Sequence, residues 1–371
     1  MPDMSCVRYE HEVKLTDALH GIIWLFVAGC SSSQGTNAGA SDAGGDSTKA
    51  AASLPACPIA LPDGSCREVV EADVIPLVED HGVCMPAFAF QDGEDLVAFS
   101  AAFDESQVLR TRVVHLADAS APENMPWDKT SNATGVVTSK GAWLYFTGSV
   151  GTGTGMYRAR VDSPNPSPEW VTLPGVDKVP FWPQAAALPD DSVLMAWVVP
   201  QTAAYVSHGT GESFTPSDAP TAPPPVPGVL AHPGTTHAGT WVLAHQTGST
   251  TTPFHSFVNL HQGGAWTQAI PVAPEATTVH DAFPIARLDE GADVYYLAPG
   301  ATGDLTVYRR YLSEAGTFGP AQRVTADALG HVEKPQPRRL SDGRIALMFA
   351  RRVTTSRYDV ALAILAGDAP R

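Results

Sequence analysis

The sequence predicts an all-β fold, a six-bladed β-propeller, and three observations carry that prediction. Six short apolar segments share one pattern, and marker residues inside them are spaced 47 to 53 residues apart. A turn signal such as Asp-Gly precedes most of these segments, and a second strand-like segment follows each. Four strands in each of six repeats of about fifty residues are typical of a propeller, whereas a β-sandwich has no such period. The markers are Phe99, Phe146, Trp197, Ala244, Leu297 and Phe349.

Each repeat can be divided into four strands. The central apolar segments are 95–100, 142–147, 193–198, 240–245, 293–298 and 345–350. The segments that follow them, several of which alternate apolar and polar residues, are 108–116, 156–161, 203–209, 254–261, 305–312 and 358–365. An earlier strand often begins at a proline, as at Pro86, Pro183 and Pro284, and five repeats carry one late aromatic residue. These aromatics are Trp127, Trp170, Phe214, Trp266 and Phe318.

The sixth repeat lacks the last strand, because the sequence given stops at Arg371. Residues 67–78 have strand character and precede the first repeat. We therefore predict that 67–78 completes the last blade and closes the ring without a covalent link, which removes an exposed sheet edge. Repeats of this kind drift in length, so five and seven blades remain alternatives.

Composition sets limits on the function. The 371 residues include 32 Gly and 32 Pro, which suits a fold with many turns, and 44% are hydrophobic while 17% are charged. A disordered, highly charged chain is excluded by this balance, and a polytopic membrane protein by the lack of apolar runs of about 18 residues. The net charge of −16 disfavours nucleic acid as a partner. We expect a monomer.

The N-terminal segment carries a separate signal. Residues 21–29 read GIIWLFVAG and are followed by Cys30. Val27-Ala28-Gly29-Cys30 resembles the lipobox of bacterial lipoprotein signal peptides, a family in which the Cys is acylated and the chain is cut before it. The resemblance implies a signal peptide over 1–29, an anchor in the membrane at Cys30, and delivery to the cell envelope as an outer-membrane lipoprotein. One departure is the segment before the apolar run, which is formally acidic rather than basic.

Residues 30–56 are rich in Ser, Gly and Ala and cannot bury a core, so we predict a flexible, disordered tether. The propeller then occupies 57–371. In an oxidising compartment the remaining cysteines favour a disulfide. The Pro-Asp-Gly turn between Cys57 and Cys66 favours that pair, and Cys66–Cys84 is the alternative.

One hairpin motif points to a known family. Residues 207–214 read SHGTGESF and resemble the Asp-box of sialidase-like propellers, S-x-D-x-G-x-[ST]-[WF], with Gly209 in place of the Asp. Residues 313–320 read SEAGTFGP and resemble a shorter version. The resemblance implies a sialidase-like propeller with each box on the hairpin between the third and fourth strands of a blade.

The catalytic motif of that family is not retained. Sialidases begin their first blade with Phe-Arg-Ile-Pro, in which the Arg binds the substrate carboxylate. The comparable stretch here is Val-Cys-Met-Pro over 83–86, so Cys84 stands at the position of the Arg. The family also needs two more arginines, a Tyr–Glu pair and an acidic Asp, and no motif assigns them. We therefore carry over no catalytic residue.

Several polar residues precede innermost strands, which places them near the central mouth on one face of a propeller. A tryptophan at this position could stack on a sugar, and paired carboxylates suit glycoside hydrolysis. The histidines of the fourth repeat lack the spacing of a metal site, so we expect no metal and no cofactor. The candidate mouth residues are Asp177, Lys178, Trp182, His280, Asp281, Glu333 and Lys334.

The sequence is best interpreted as an anchored propeller that binds a glycan or protein ligand and catalyses no reaction. One alternative is a glycoside hydrolase or lyase that uses carboxylates at the mouth. The other is a structural scaffold of the envelope. Fold alone does not separate them, because one fold supports many functions.

Overall fold

The computed structural model describes residues 58–61, 65–81, 85–103, 109–117, 122–127, 130–150, 153–173, 181–199, 203–216, 230–249, 252–354 and 357–367. They form six antiparallel sheets and one small hairpin, Ile59–Ala60 with Cys66–Arg67. We call the sheets blades I to VI in chain order and give the strands of each from the innermost outward.

Blade I contains Met85–Asp92, Asp95–Phe103, Leu109–His115 and Glu123–Asn124; blade II contains Ser131–Thr138, Gly141–Val150, Gly153–Arg160 and Glu169–Trp170; and blade III contains Phe181–Ala187, Val193–Val199, Ala203–Gly209 and Phe214–Pro216. Blade IV contains Ala231–Thr235, Trp241–Ser249, Thr252–Gln262, Ala265–Trp266 and Ile270–Pro271; blade V contains His280–Ala286, Ala292–Pro299, Leu305–Leu312 and Gln322–Arg323; and blade VI contains Val332–Arg339, Ile345–Thr354, Arg357–Leu365 and Ile75–His81. The six central apolar segments of the repeat coincide with the second strand of each blade, so the predicted six-bladed propeller is confirmed.

The blades are arranged as a ring around a common axis. Each innermost strand contacts the innermost strands of the blades before and after it, and blade VI contacts blade I. We call the space that these six strands enclose the hub.

The apolar core consists of six clusters, one between each pair of adjacent blades. Alternation along the second strands makes this possible, since successive side chains point to opposite faces of a sheet. Leu144 and Phe146 pack toward blade I, whereas Tyr145 between them packs toward blade III. Both faces of every blade are therefore buried, which explains the nearly continuous apolar runs of these strands.

The ring is closed by an N-terminal strand. Ile75–His81 pairs antiparallel with Arg357–Leu365 and is the outermost strand of blade VI. Its Leu77 and Val78 are buried against blades VI and I. Pro76, which has no N–H to donate, lies on this outer edge, where a proline is tolerated.

The closing strand starts later than the predicted segment 67–78. Arg67 belongs to the small hairpin, and residues 71–73 form a 3-10 turn. Val69 makes a parallel bridge to blade V, where its N–H donates to Val324 O at 2.8 Å and its carbonyl accepts from the Ala326 N–H at 3.0 Å. The segment that precedes the closing strand thus binds blade V before it reaches blade VI.

Cys66 in the small hairpin is disulfide-bonded. Both cysteines considered as its partner, Cys57 and Cys84, lie outside the described residues, as does Cys30. Within the residues that are described, the helices are two 3-10 turns, Glu71–Asp73 and Asp327–Leu329, and no helix is long and apolar enough to cross a membrane.

The first Asp-box-like motif lies on the hairpin between the third and outermost strands of blade III. A side chain at Gly209 would collide with Ser213 O, and Gly211 has a φ of +90°, so both positions need glycine. The buried Tyr145 of blade II donates its hydroxyl to Gly211 O at 3.3 Å. The hairpin therefore fastens blade III to blade II.

The second motif acts in the same way between blades V and IV. Its Glu314 accepts hydrogen bonds from the Ala238 N–H at 3.0 Å and from the Thr236 hydroxyl. Desolvation would raise the pKa of Glu314, but these donors, with the Gly291 N–H, hold it below its usual value. Both motifs are packing devices, and neither places a side chain in the hub.

Shortening Val78 tests the role of the closing strand. We expect Val78→Ala to lower the free energy of unfolding by about 1–3 kcal/mol, because a side chain that is 2% exposed leaves a cavity. Val353→Ala, at a position 51% exposed, is the matched control and should change it by less than about 0.5 kcal/mol. Equal losses in urea unfolding of the two variants would contradict the importance of this strand.

Candidate functional site: the mouth of the propeller

The mouth is the end of the hub at which the innermost strands begin. Neighbouring innermost strands touch just below it: Thr134 contacts Gln184, and His232 Nδ1 lies 2.9 Å from Ala282 O. Lys334 Nζ lies 3.7 Å from Asp281 Oδ2, which links blades VI and V. The sequence-predicted residues His280, Asp281, Glu333 and Lys334 are thus brought together, whereas Asp177 and Lys178 lie outside the described residues.

A bulge shapes the start of these strands. In blades II, III, V and VI the innermost strand advances three residues while its partner advances two, for example from Glu333 to Gln336 against Ala350 to Met348. Blade I has a shorter shift of the same kind, from Pro86 to Phe88. Bulges of this type redirect side chains and are frequent next to functional sites.

Three bulges hold a non-glycine residue in the left-handed region. These are Trp182, Asp281 and Lys334, with φ of 47°, 45° and 52°, and they occupy the same register position in blades III, V and VI. Such a backbone costs about 1–3 kcal/mol for a residue with a side chain and is concentrated at functional sites. Among the described residues, three of the four left-handed non-glycine positions therefore lie at the mouth, and all three are predicted site residues.

Asp281 is the most enclosed acid of the mouth. Its side chain is 7% exposed, its backbone N–H donates to Gln246 Oε1 at 2.8 Å, and its carboxylate faces Lys334, whose side chain is 40% exposed. Buried carboxylates are usually satisfied by several donors. A single cation at 3.7 Å leaves Asp281 with free acceptor capacity for a ligand.

His280 and His232 surround this carboxylate in the neutral form. Burial lowers the pKa of His280, although Asp281 opposes that effect. Burial lowers the pKa of His232 to about 3, again against Asp281 and helped by Lys334. At neutral pH both rings are uncharged, so Lys334 is the cation that Asp281 contacts.

The carboxylate of Glu333 accepts hydrogen bonds from three side chains, one just before blade VI and two within it. Its Oε1 accepts from His331 Nε2 at 2.9 Å, from Arg352 Nη2 at 2.7 Å and from the Tyr358 hydroxyl at 3.3 Å. Burial alone would raise the pKa of Glu333, but His331, Lys334 and Arg352 lower it to about 2. Glu333 is therefore ionised at any ordinary pH and fixes the start of the innermost strand of blade VI.

Sequence reasoning did not find the partners Tyr358, Arg352 and His331. Tyr358 and Arg352 face each other across the second and third strands of blade VI, a register that spacing alone does not reveal. The arrangement includes a Tyr–Glu contact, but burial raises the pKa of Tyr358, so its hydroxyl is neutral. A phenol bonded to a carboxylate has the arrangement of a nucleophile with its general base, but a carboxylate whose pKa is about 2 and that also accepts from His331 and Arg352 is a weak base.

These states limit the chemistry of the mouth. A general acid in glycoside hydrolysis needs a raised carboxyl pKa, and that of Glu333 is lowered. Asp281 can accept hydrogen bonds, Lys334 can donate them, and the half-buried Trp182 carries an apolar surface. In the described part of the chain, no three His, Cys, Asp or Glu residues are grouped to hold a metal ion.

The Glu333 cluster has a characteristic pH dependence. A pKa of about 2 in the fold, against 4.5 for the free group, contributes stability that is present above about pH 5 and is lost as the pH falls toward 2. We expect Glu333→Gln to be less stable than wild type by about 3 kcal/mol above pH 5 and the gap to close near pH 2.

Urea unfolding of both proteins between pH 2 and pH 7 measures this gap. Glu275→Gln, which removes a carboxylate with a 59% exposed side chain, controls for the loss of a negative charge. A gap between wild type and Glu333→Gln that stays constant across this range would show that the carboxylate is not the origin of the stability.

Comparison with known proteins supports the fold. No family model and no curated protein matches the chain. Among solved structures, the Hadza microbial sialidase Hz136 aligns with a TM-score of 0.50 and 10% identity over 76% of this chain and 65% of its own. A Trypanosoma rangeli sialidase in complex with 2,3-difluorosialic acid aligns with a TM-score of 0.48 and 9% identity over 83% and 56%. A puromycin-hydrolyzing peptidase from Mycobacterium tuberculosis aligns with a TM-score of 0.44 and 17% identity over 74% and 45%.

The chain spans less than two thirds of each of these three proteins. At 10% identity, the similarity to the Hadza microbial sialidase concerns the fold alone. Together with six blades in a closed ring and two Asp-box-like hairpins, it establishes that the chain folds as a sialidase-like β-propeller.

Proposed function

We propose that the mouth of the propeller binds a carbohydrate without catalysing a reaction on it. The observation that carries the proposal is the conformation shared by Trp182, Asp281 and Lys334, which three separate blades hold in a strained backbone at one end of the hub. Strain costs folding free energy at each of these positions. Its recurrence at equivalent positions indicates that the side chains have a function there. An aromatic surface, a hydrogen-bond acceptor and a donor at the same end of the hub are groups that bind a sugar.

The lowered pKa of Glu333 supports binding over hydrolysis. Most retaining and inverting glycosidases use two carboxyl groups with different roles, one of which must carry a proton. Glu333 is ionised and its Oε1 is engaged by three donors. In a hydrolytic reaction, Asp281 would therefore have to act without Glu333 as a second catalytic carboxyl group.

A glycoside hydrolase remains the second candidate, and Asp281 is the observation in its favour. This carboxylate is 7% exposed and has one long ionic contact, as a catalytic carboxylate in a pocket has. Turnover of fluorogenic glycosides that is lost in Asp281→Asn would favour this candidate.

Substitution of the mouth tests binding directly. We expect Trp182→Ala to weaken binding to its best glycan on an array by about tenfold or more, because aromatic anchors dominate such contacts. Trp170→Ala is the matched control, since Trp170 is 55% exposed on the outermost strand of blade II, and it should bind as wild type does. Equal loss in both variants, or wild-type binding by Trp182→Ala, would contradict a site at the mouth.

We also propose that the propeller is carried on the outer membrane by a lipid at Cys30. The support is the lipobox-like sequence VAGC at 27–30 and the Ser/Gly/Ala-rich residues after it. Such an anchor would keep a binding site near the cell surface at the end of a flexible tether.

Mass spectrometry of the protein from its native membrane tests the anchor. We expect the mature chain to begin at Cys30 and to carry a diacylglycerol mass on that residue. Cys30→Ser should leave the leader uncut and remove the lipid, while Cys6→Ser should change neither. A mature N-terminus elsewhere would overturn the anchor without affecting the binding test.

A further inference from the structure

Below the mouth, a charged side chain crosses the hub. Arg338 lies on the innermost strand of blade VI, and its Nη2 donates to Thr134 Oγ1 of blade II at 3.3 Å. Blade I stands between those two blades in the ring, so the guanidinium must reach through the hub to make this contact. Thr134 in turn donates to Gln184 Oε1 of blade III at 3.4 Å.

Arg338 has no acidic partner among the described residues. It donates to Pro337 O at 2.8 Å and to the Thr134 hydroxyl, and its Nε is buried with no acceptor. By contrast, the buried Arg158 pairs with Glu169 and Glu212, so its charge is compensated. Surrounding protein lowers the pKa of the Arg338 guanidinium to about 10, so it is still charged at neutral pH.

A second buried group nearby is unsatisfied. Gln336 precedes Arg338 by two residues on the same strand and so points to the same face. It is 5% exposed, and its Oε1 has no hydrogen-bond partner. A 180° flip of the side-chain amide exchanges the oxygen and the nitrogen of Gln336. The flipped amide would direct its N–H groups toward the space beside the Arg338 guanidinium.

We infer that the hub binds a small monovalent anion, of the size of chloride, at the guanidinium of Arg338. A buried charge without a counter-ion is among the most costly features of a fold, and an anion supplies the missing charge. The direct contact of Arg338 with Thr134 restricts the space beside the guanidinium, which favours a small ion over an organic acid. Arg338 keeps some exposed surface, so the ion can enter from solvent.

This anion site is distinct from the mouth. Lys334 at the mouth is paired with Asp281, whereas Arg338 is farther along the same strand, opposite Ala346. Anion binding therefore does not depend on the proposed carbohydrate site, and either can fail alone.

Thermal unfolding of the full chain in chloride, with sodium gluconate keeping the ionic strength constant, tests the inference. We expect the wild-type Tm to rise by about 2–4 °C for each tenfold increase in chloride above the dissociation constant. Arg338→Gln should lose this dependence and, in gluconate alone, should be at least as stable as wild type, because it removes the uncompensated charge. Arg344→Gln is the matched control, since Arg344 is 51% exposed and paired with Asp342, and it should keep the dependence.

A crystal grown in bromide gives an independent readout. We expect an anomalous peak within hydrogen-bond distance of the Arg338 guanidinium in wild type and none there in Arg338→Gln. If Arg338→Gln does not fold, the wild-type peak and the chloride response of Arg338→Lys decide the question. A wild-type Tm that is independent of chloride together with no bromide at Arg338 would overturn the inference.

Discussion

The pairing of Ile75–His81 with Arg357–Leu365 is the interaction on which the rest of the structure depends. A blade with apolar side chains on both faces is stable only between two other blades, so an open row of blades would leave two apolar faces in water. Closing the ring turns those two faces into the sixth interface, where Val78 packs with Ala98 and Val360. The strand that achieves this is separated from its partner by almost the whole propeller, so closure is a non-local contact with an entropic cost.

Closure also explains why the mouth can carry strain. Six interfaces fix the second and third strands of every blade, while only the innermost strands border the hub. The bulges at the start of those strands insert one residue without disturbing the apolar alternation behind them. Glu333 adds a local brace in blade VI, because it ties the innermost strand to Arg352 on the second strand and Tyr358 on the third. The rigid outer blade thus holds Lys334 in its unfavourable backbone conformation.

Much of the architecture could be predicted from the sequence because it repeats. The apolar runs after turn signals place the start of every second strand within one residue, although the observed strands continue one to four residues farther, and both Asp-box-like motifs fall on the hairpins where the resemblance placed them. The closing segment was placed too early, because Val69 has strand character but uses its backbone to bridge blade V. At the mouth, the order of the strands was enough to group His280, Asp281, Glu333 and Lys334, but not to show which of them are free. That distinction depends on cross-strand register and on distances of a few ångströms, as with Tyr358 and Glu333.

The charged groups of the hub are paired at the mouth and, among the described residues, unpaired deeper along the axis. At the mouth, Asp281 and Lys334 largely compensate each other. His232, between the mouth and the deeper hub, adds no charge because burial lowers its pKa to about 3. Arg338 is then a positive charge inside a chain whose net charge is −16. An acidic surface repels anions in bulk solvent, so an anion that enters the hub must be held by close contacts rather than drawn by the overall field. Short-range capture of this kind favours a small ion that can shed its water against a guanidinium and amide groups. It also means that the mouth, with its paired charges and Trp182, is left to recognise a neutral ligand.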